Sequence, residues 1–204
     1  NYNVSEDVLR EILALEEAKR KHGLRDKAQK NFMNFVKHCY DGFIEGAHHK
    51  KVAKKFEQLA TTPGSRIIIN MPPRHTKSEF ASYLLPAWLI GKKPDLKIIQ
   101  TTHTAELAVR FGRKVRNLME LEVYRDVFPD VELRSDSKAA GRWETGEGGE
   151  YYAAGVGGAI TGRGADLLLM TRIQNKMPFL KRRSKMPMSG IHPVLVNVYN
   201  LEGQ

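Results

Sequence analysis

The chain has 204 residues, a formal net charge of +10 and a sequence pI of about 9.7. This length suffices for one α/β domain with a core, and no apolar run approaches the roughly 18 residues of a membrane helix. Cys39 is the single cysteine, which excludes an internal disulfide or a Cys-rich zinc site and predicts a small core residue. We expect a soluble intracellular protein, and its positive charge favours a polyanionic partner such as DNA or RNA without identifying one.

The N-terminal third of the chain has helical periodicity throughout. Ser5 is suited to cap a first helix, and Gly23 follows the basic end of that helix. A second helical pattern covers residues 25–39, and a third covers His48–Leu59. These patterns predict a helical segment over residues 1–62.

A strand, a loop and a helix follow in direct succession. Arg66–Asn70 carries three isoleucines between polar flanks, which predicts a short buried strand, and Lys77 and Ser78 open an apolar-periodic helix. This is the order of a P-loop, in which backbone amides and the lysine hold nucleotide phosphates and the serine hydroxyl ligates Mg²⁺. The usual glycines are replaced by Met71 and Thr76, so the residues alone leave open an ordinary strand-to-helix turn with a solvated lysine.

The second half of the chain alternates strands and helices. Gly91 is expected to end the first helix, Leu96–Thr102 predicts a second strand, and Thr104 caps a long helix. This alternation implies parallel strands with right-handed crossovers. The long helix carries basic residues that form either a DNA-facing stripe or an ordinary solvated face: Arg110, Arg113, Lys114 and Arg116.

A glycine-rich region begins after this helix. Glycines within residues 146–149 predict a turn between two antiparallel strands that contain Trp143 and Tyr151–Ala154. The later run GVGGAITGRG is a poor phosphate loop because it lacks the Lys-Ser pair.

Two motifs together resemble the large terminase subunit of tailed phages, the motor that pumps DNA into a procapsid. MPPRHTKSEFAS is similar to the degenerate Walker A of that family, and GRGAD at residues 162–166 is similar to the stretch before its Walker B strand. The resemblance spans Gln29 to Leu168. It implies an α/β P-loop NTPase, with a parallel sheet flanked by helices, a helical N-terminal segment and an ATPase core over residues 63–168.

The resemblance also implies ligands and partners. The cofactors would be ATP and Mg²⁺. The partners would be double-stranded DNA, the portal of the procapsid, the small terminase subunit and further copies of the chain on the portal, with no membrane. The protein would work in the host cytoplasm, and the family's C-terminal nuclease domain has no counterpart in these residues.

Implied site residues lie mainly in the loop. Lys77 would contact the β- and γ-phosphates, Ser78 would ligate Mg²⁺, and Arg74 would sense γ-phosphate charge, which makes Lys77 and Arg74 the implied catalytic residues. The remaining implied nucleotide contacts are Pro73, His75 and Thr76.

An adenine-contacting element precedes the P-loop in this family. A histidine pair at this point is similar to some members, which implies His49 as a nucleotide contact, with Gln29 as a rival. By themselves, His48 and His49 leave open a metal site or a solvated helix start, although no third ligand lies at suitable spacing.

The resemblance breaks where the Walker B acids should stand. The family would end an apolar strand in two acids, yet no acidic residue lies between Asp166 and Glu202. The genetic code permits Ile-Ile-Asp-Asp-Pro-His-Ser-Glu from residues 168–175 in a displaced frame. We therefore predict that residues 169–204 are an out-of-frame tail that need not be structured, and that the chain hydrolyses ATP at or near background.

Two alternatives remain open from the sequence. The first is another P-loop ATPase of helicase type, which would share the loop and the basic charge. The second is a basic module that binds nucleic acid without any nucleotide.

Overall fold

The computed structural model of the chain describes residues 5–72, 74–155, 163–171 and 194–200. Its helices are α1 Glu6–Lys30, α2 Phe32–Cys39, α3 Ala47–Thr61, a π-helical segment Glu79–Leu84 that continues as α4 Leu85–Lys92, α5 Ala105–Glu120 and α6 Glu122–Val127. Its strands are β1 Arg66–Met71, β2 Lys97–Thr102, β3 Leu133–Ala139, β4 Arg142–Thr145, β5 Glu150–Gly155, β6 Leu167–Thr171 and β7 Val194–Asn200. The predicted α/β class and helical N-terminal segment are confirmed. Within these ranges, no helix has the length and apolarity needed to cross a bilayer.

The strands form one mixed sheet in the order β1-β7-β6-β2-β5-β4-β3. Neighbours from β1 to β5 run parallel, whereas β4 is antiparallel to both β5 and β3. The prediction of a parallel sheet is therefore right for its core, β5-β2-β6, and wrong for the β3–β4 edge. A hairpin is the reason, because a short turn can join only antiparallel strands. The antiparallel pair predicted around the glycine turn is confirmed, with Trp143 opposite Tyr151.

The boundary between the first two helices differs from the prediction. Ser5 caps α1 as expected, but α1 passes through Gly23 and ends at Lys30. Asn31 makes the break: its side chain accepts from the Asn34 backbone at 2.9 Å and donates to Glu57 at 2.8 Å. A glycine inside a helix costs only about 1 kcal/mol, so Gly23 alone does not end α1.

The helix after the loop also passes through the glycine that was expected to stop it. Gly91 lies inside α4, and a Cβ built on it would stand 2.3 Å from the Phe128 ring. Its role is close packing rather than termination. The preceding π-helical turn lies beside Pro86, which has no backbone N–H to continue a regular ladder.

Aromatic packing ties the N-terminal helices to the helix after the loop. Phe32 of α2 makes edge-on contacts with Phe56 of α3 at 5.3 Å and with Phe80 and Trp88 at 5.5 Å each. All four side chains are almost completely buried. The helix that follows the loop is consequently packed tightly against α2 and α3.

The structure also tests the expectations for the long helix α5 and for Cys39. Thr104 caps α5 as predicted, and Ala108, Phe111 and Val115 on its inner face are buried. The segment between α5 and β3 contains the short helix α6, in which Tyr124 and Val127 are buried. Cys39 packs against the core, and its burial, with Asp126 nearby, raises the pKa of its thiol to about 12.

Two described segments lie in the region predicted to be an out-of-frame tail. β6 continues to Thr171 between β2 and β7, and β7 is inserted between β6 and β1. Residues 172–193 and 201–204 lie outside the described part. The reading-frame hypothesis stays a prediction.

Candidate functional site

The candidate site lies at the carboxyl ends of the parallel strands. β1 ends at Met71, β6 ends at Thr171 and β2 ends at Thr102, which is the register partner of Thr171. The loop after β1, described at residue 72 and over residues 74–76, begins at this end of the sheet, and Lys77 and Ser78 start the helix that continues as the π-helical segment. Crevices at the carboxyl ends of parallel strands are where open α/β sheets bind ligands.

The loop takes backbone conformations that ordinarily require glycine. Arg74 has φ +63° and Thr76 has φ +55°, both in the left-handed region. Such turns direct successive backbone N–H groups toward one side and form a concavity that suits an anion. Thr76 therefore holds, with a branched side chain, a backbone conformation that ordinarily favours glycine. Pro73, predicted as a nucleotide contact, lies outside the described residues.

Lys77 closes the loop from inside. Its side chain is only 5% exposed, and its Nζ donates to the Met71 carbonyl at 3.2 Å. The lysine at the start of the helix therefore reaches back to the residue at which the loop begins. The alternative of a solvated lysine is wrong. Arg74 and His75 are exposed on the outer side of the loop, and Ser78 is half-buried beside Lys77.

His49 holds the loop from the side of α3. The Gly46 N–H donates to Nδ1 at 2.9 Å, so the ring proton lies on Nε2, which is 2.5 Å from the Thr76 hydroxyl. Thr76 in turn donates to the His75 carbonyl at 2.7 Å. The ring also stacks on Phe80, with centroids 5.0 Å apart. Nδ1 thus fixes the ring at the start of α3, and Nε2 contacts the loop.

Protonation of His49 is disfavoured in the fold. Its side chain is 6% exposed, and desolvation, followed by repulsion from His48, lowers the pKa of the imidazole below its ordinary value. For His49, the alternative of a solvated helix start is wrong. Within the described ranges, no three His, Cys, Asp or Glu side chains are grouped as metal ligands.

A buried polar cluster that sequence reasoning missed lies beside the helix start. The Ser82 and Thr171 hydroxyls are 2.6 Å apart, and the Gln100 amide donates to Thr171 at 3.2 Å. The Gln100 carbonyl oxygen is buried without a hydrogen-bond partner. Ser82 lies one helical turn beyond Ser78, so the end of β6 lies beside the π-helical segment that follows the loop. The available signal was the polar ending of β2, since strands within a core are usually apolar.

The basic residues of α5 do not form one uniform face. Lys114 pairs with Glu79 of the π-helical segment at 2.5 Å and lies over the Tyr83 ring at 4.5 Å. Arg110 and Arg113 are exposed. Arg116 is half-buried and bonds to the neighbouring Asn117 at 3.1 Å. A DNA-facing role for this helix stays a prediction.

Two remaining sequence candidates lie elsewhere. The Gln29 amide donates to the Val127 carbonyl at 2.7 Å and so joins α1 to α6. In the glycine-rich run, residues 156–162 are outside the described part, and Arg163 lies over the Tyr152 ring at 4.1 Å while pairing with Glu150. A comparison with known protein families and with curated proteins found no match for this chain.

Proposed function

We propose that this chain is a P-loop ATPase domain of the terminase large-subunit kind. The observation that carries the proposal is the closed loop, in which buried Lys77 reaches back to Met71 across a backbone that turns left-handed at Arg74 and Thr76. An ordinary strand-to-helix turn has no need to bury a lysine or to hold two non-glycine residues at positive φ, each of which costs about 1–2 kcal/mol.

The loop residues would act on a nucleotide in distinct ways. Lys77 would exchange the Met71 carbonyl for β- and γ-phosphate oxygens, and the loop amides would hold the same groups. Arg74, exposed at the outer side of the loop, would approach the γ-phosphate. His49 would position Thr76 rather than stack on a base, because its ring is already packed against Phe80.

Mg²⁺ would be held by the Ser78 hydroxyl together with phosphate oxygens and water, a ligand set that suits this ion. Catalysis also requires a carboxylate near the attacking water. Thr171 ends β6 where such an acid would be expected, and it offers only a hydroxyl. We therefore propose that the chain binds ATP weakly and hydrolyses it at or near background.

The wider role follows from the sequence resemblance. An ATPase of this kind that retains its two acids would drive double-stranded DNA into a procapsid, in the host cytoplasm, as one of several copies on the portal and with the small terminase subunit as partner. The net charge of +10 and the exposed Arg110 and Arg113 are compatible with a DNA partner. A helicase-type ATPase would share these features, and duplex unwinding would distinguish it from packaging.

Nucleotide-dependent protection against thermal unfolding tests the proposal. Mg-ATP should raise the melting temperature of the full chain, since a ligand at 100 times its Kd stabilises by about 2.7 kcal/mol. Lys77→Met should lose this protection, and Lys93→Met, at an exposed lysine beyond α4, is the matched control that should keep it. Protection that is absent from the parent chain, or equal in both variants, would overturn the proposal and favour a basic module without nucleotide.

A further inference from the structure

The beginning of α1 projects beyond the rest of the described molecule. Every residue from Ser5 to His22, a segment we call the overhang, is exposed. The helix is first buried at Ala28, whose carbonyl accepts the Trp88 indole N–H at 3.0 Å. Helices in proteins are stabilised mainly by packing, and isolated ones of about 15 residues are marginal in water. Packing against a partner would therefore stabilise the overhang.

The overhang carries an apolar stripe along one face. At 100° per residue its members fall within an arc of about 160°. Their exposure ranges from 45% for Ile12 to 57% for Leu13. The members of the stripe are Val8, Leu9, Ile12, Leu13 and Leu15. Ala14 points to the opposite side of the helix.

Charge along the overhang is divided between its two ends. Five acidic residues and one basic residue lie from Glu6 to Glu17, and Lys19, Arg20 and Lys21 follow without an acid. Two overhangs aligned in parallel would place like charges side by side. An antiparallel alignment would place the acidic start of each helix against the basic end of the other.

We propose that α1 pairs antiparallel with α1 of a second copy, through the apolar stripe and centred on Ile12 and Leu13. A pairing of this kind is closed and two-fold symmetric, so each copy contributes the same surface. It does not depend on nucleotide binding and differs from a ring of copies on a portal. Only five apolar side chains of each copy would meet, whereas standard interfaces involve about 20–30 residues a side, so the dimer should be reversible and form at about 10–100 µM.

Sedimentation of the full chain over a range of concentrations tests the surface. The parent chain should shift from monomer to dimer, and Ile12→Glu should weaken dimerisation at least about tenfold by placing a charge in the stripe. Ala14→Glu introduces the same residue on the opposite face and should dimerise like the parent. A parent that stays monomeric to about 1 mM, or equal effects of the two variants, would overturn the proposal.

Disulfide trapping tests the orientation in a Cys39→Ser background. Leu13→Cys at the centre should cross-link to itself. Glu6→Cys and Arg20→Cys should cross-link to each other when mixed but not alone, because these positions are about 21 Å apart along one helix. Self-linking of Glu6→Cys would indicate a parallel pair, and absence of both expected links would also contradict the arrangement. Circular dichroism would verify that each variant retains the helical content of the parent.

Discussion

Thr76 is a threonine in a backbone conformation that ordinarily favours glycine. A left-handed threonine is strained, and the hydroxyl that glycine lacks compensates by bonding to His49 at 2.5 Å and to the His75 carbonyl. The buried imidazole is in turn fixed by the Gly46 N–H. The histidine on α3 thus helps to stabilise the strained backbone at position 76.

A double-mutant cycle measures this coupling. Thr76→Ala keeps the strained φ and loses the hydroxyl, whereas Thr76→Gly removes both. With His49 present, Thr76→Ala should lower the free energy of unfolding by about 1–2 kcal/mol, because a buried hydrogen bond is lost. In a His49→Phe background the loss from Thr76→Ala should shrink, and Thr76→Gly should be more stable than Thr76→Ala by about 1 kcal/mol. Urea denaturation gives these values, and strictly additive effects would contradict the coupling.

The depressed pKa of His49 predicts a pH dependence of stability. Because the folded state disfavours the imidazolium, it binds fewer protons than the unfolded chain, whose histidine titrates near 6.5. The contribution of neutral His49 to the free energy of unfolding is therefore complete above about pH 6.5 and is lost as the pH falls below that value. Denaturation at pH 7.5 and 5.5 should show a larger loss for the parent than for His49→Phe, which keeps an aromatic ring in place. Equal losses in the two proteins would refute this role.

At the scale of the elements, two interior glycines of helices have opposite consequences. Gly91 in α4 allows the Phe128 ring to approach, whereas a Cβ on Gly23 in α1 would meet no atom within 4 Å. Helix periodicity cannot distinguish these cases, because both glycines lie in otherwise good helical patterns. Only the neighbour across the interface decides which of them is required.

Replacing each of these two glycines by alanine should therefore change the free energy of unfolding in opposite directions. Gly91→Ala should lower the free energy of unfolding by about 1–3 kcal/mol through overpacking, despite the better helix propensity of alanine. Gly23→Ala should raise it by up to about 1 kcal/mol. Thermal or urea unfolding of both variants checks this, and destabilisation by both or by neither would contradict the packing argument.

At the scale of the whole molecule, the coding sequence is decisive for the missing acids. Met170 is coded ATG and the Thr171 codon begins AC, so the displaced frame must read GAC, an aspartate, across this boundary. The hypothesis further requires the Leu169 codon to end in G, which would give a second aspartate. Sequencing the gene around codons 165–172 tests this, and any other base at that position would remove the Asp-Asp pair and the frame hypothesis with it.

The side chains around Thr171 would be the neighbours of an acid at the end of β6. Thr171 ends β6 against Ser82 and Gln100, whose hydroxyl and amide could both donate to a carboxylate. In the present chain these polar groups are buried around a threonine, and the Gln100 oxygen has no partner. A carboxylate restored at position 171 would lie in this cluster, at the carboxyl ends of β2 and β6.

The sequence by itself determined the features that depend on local patterns. The position of strand β1, the helix caps at Ser5 and Thr104, the antiparallel pair around Trp143 and the helical N-terminal segment all follow from periodicity and capping chemistry over a few residues. The burial predicted for β1 is wrong, because β1 is an edge strand of the described sheet and Ile68 is 66% exposed. Tertiary structure alone decided the insertion of β7 between β1 and β6, the burial of Lys77 and His49, and the contact of Ser82 with Thr171. These features join residues far apart in the chain, and their free energy comes from burial and hydrogen bonds that no local pattern contains.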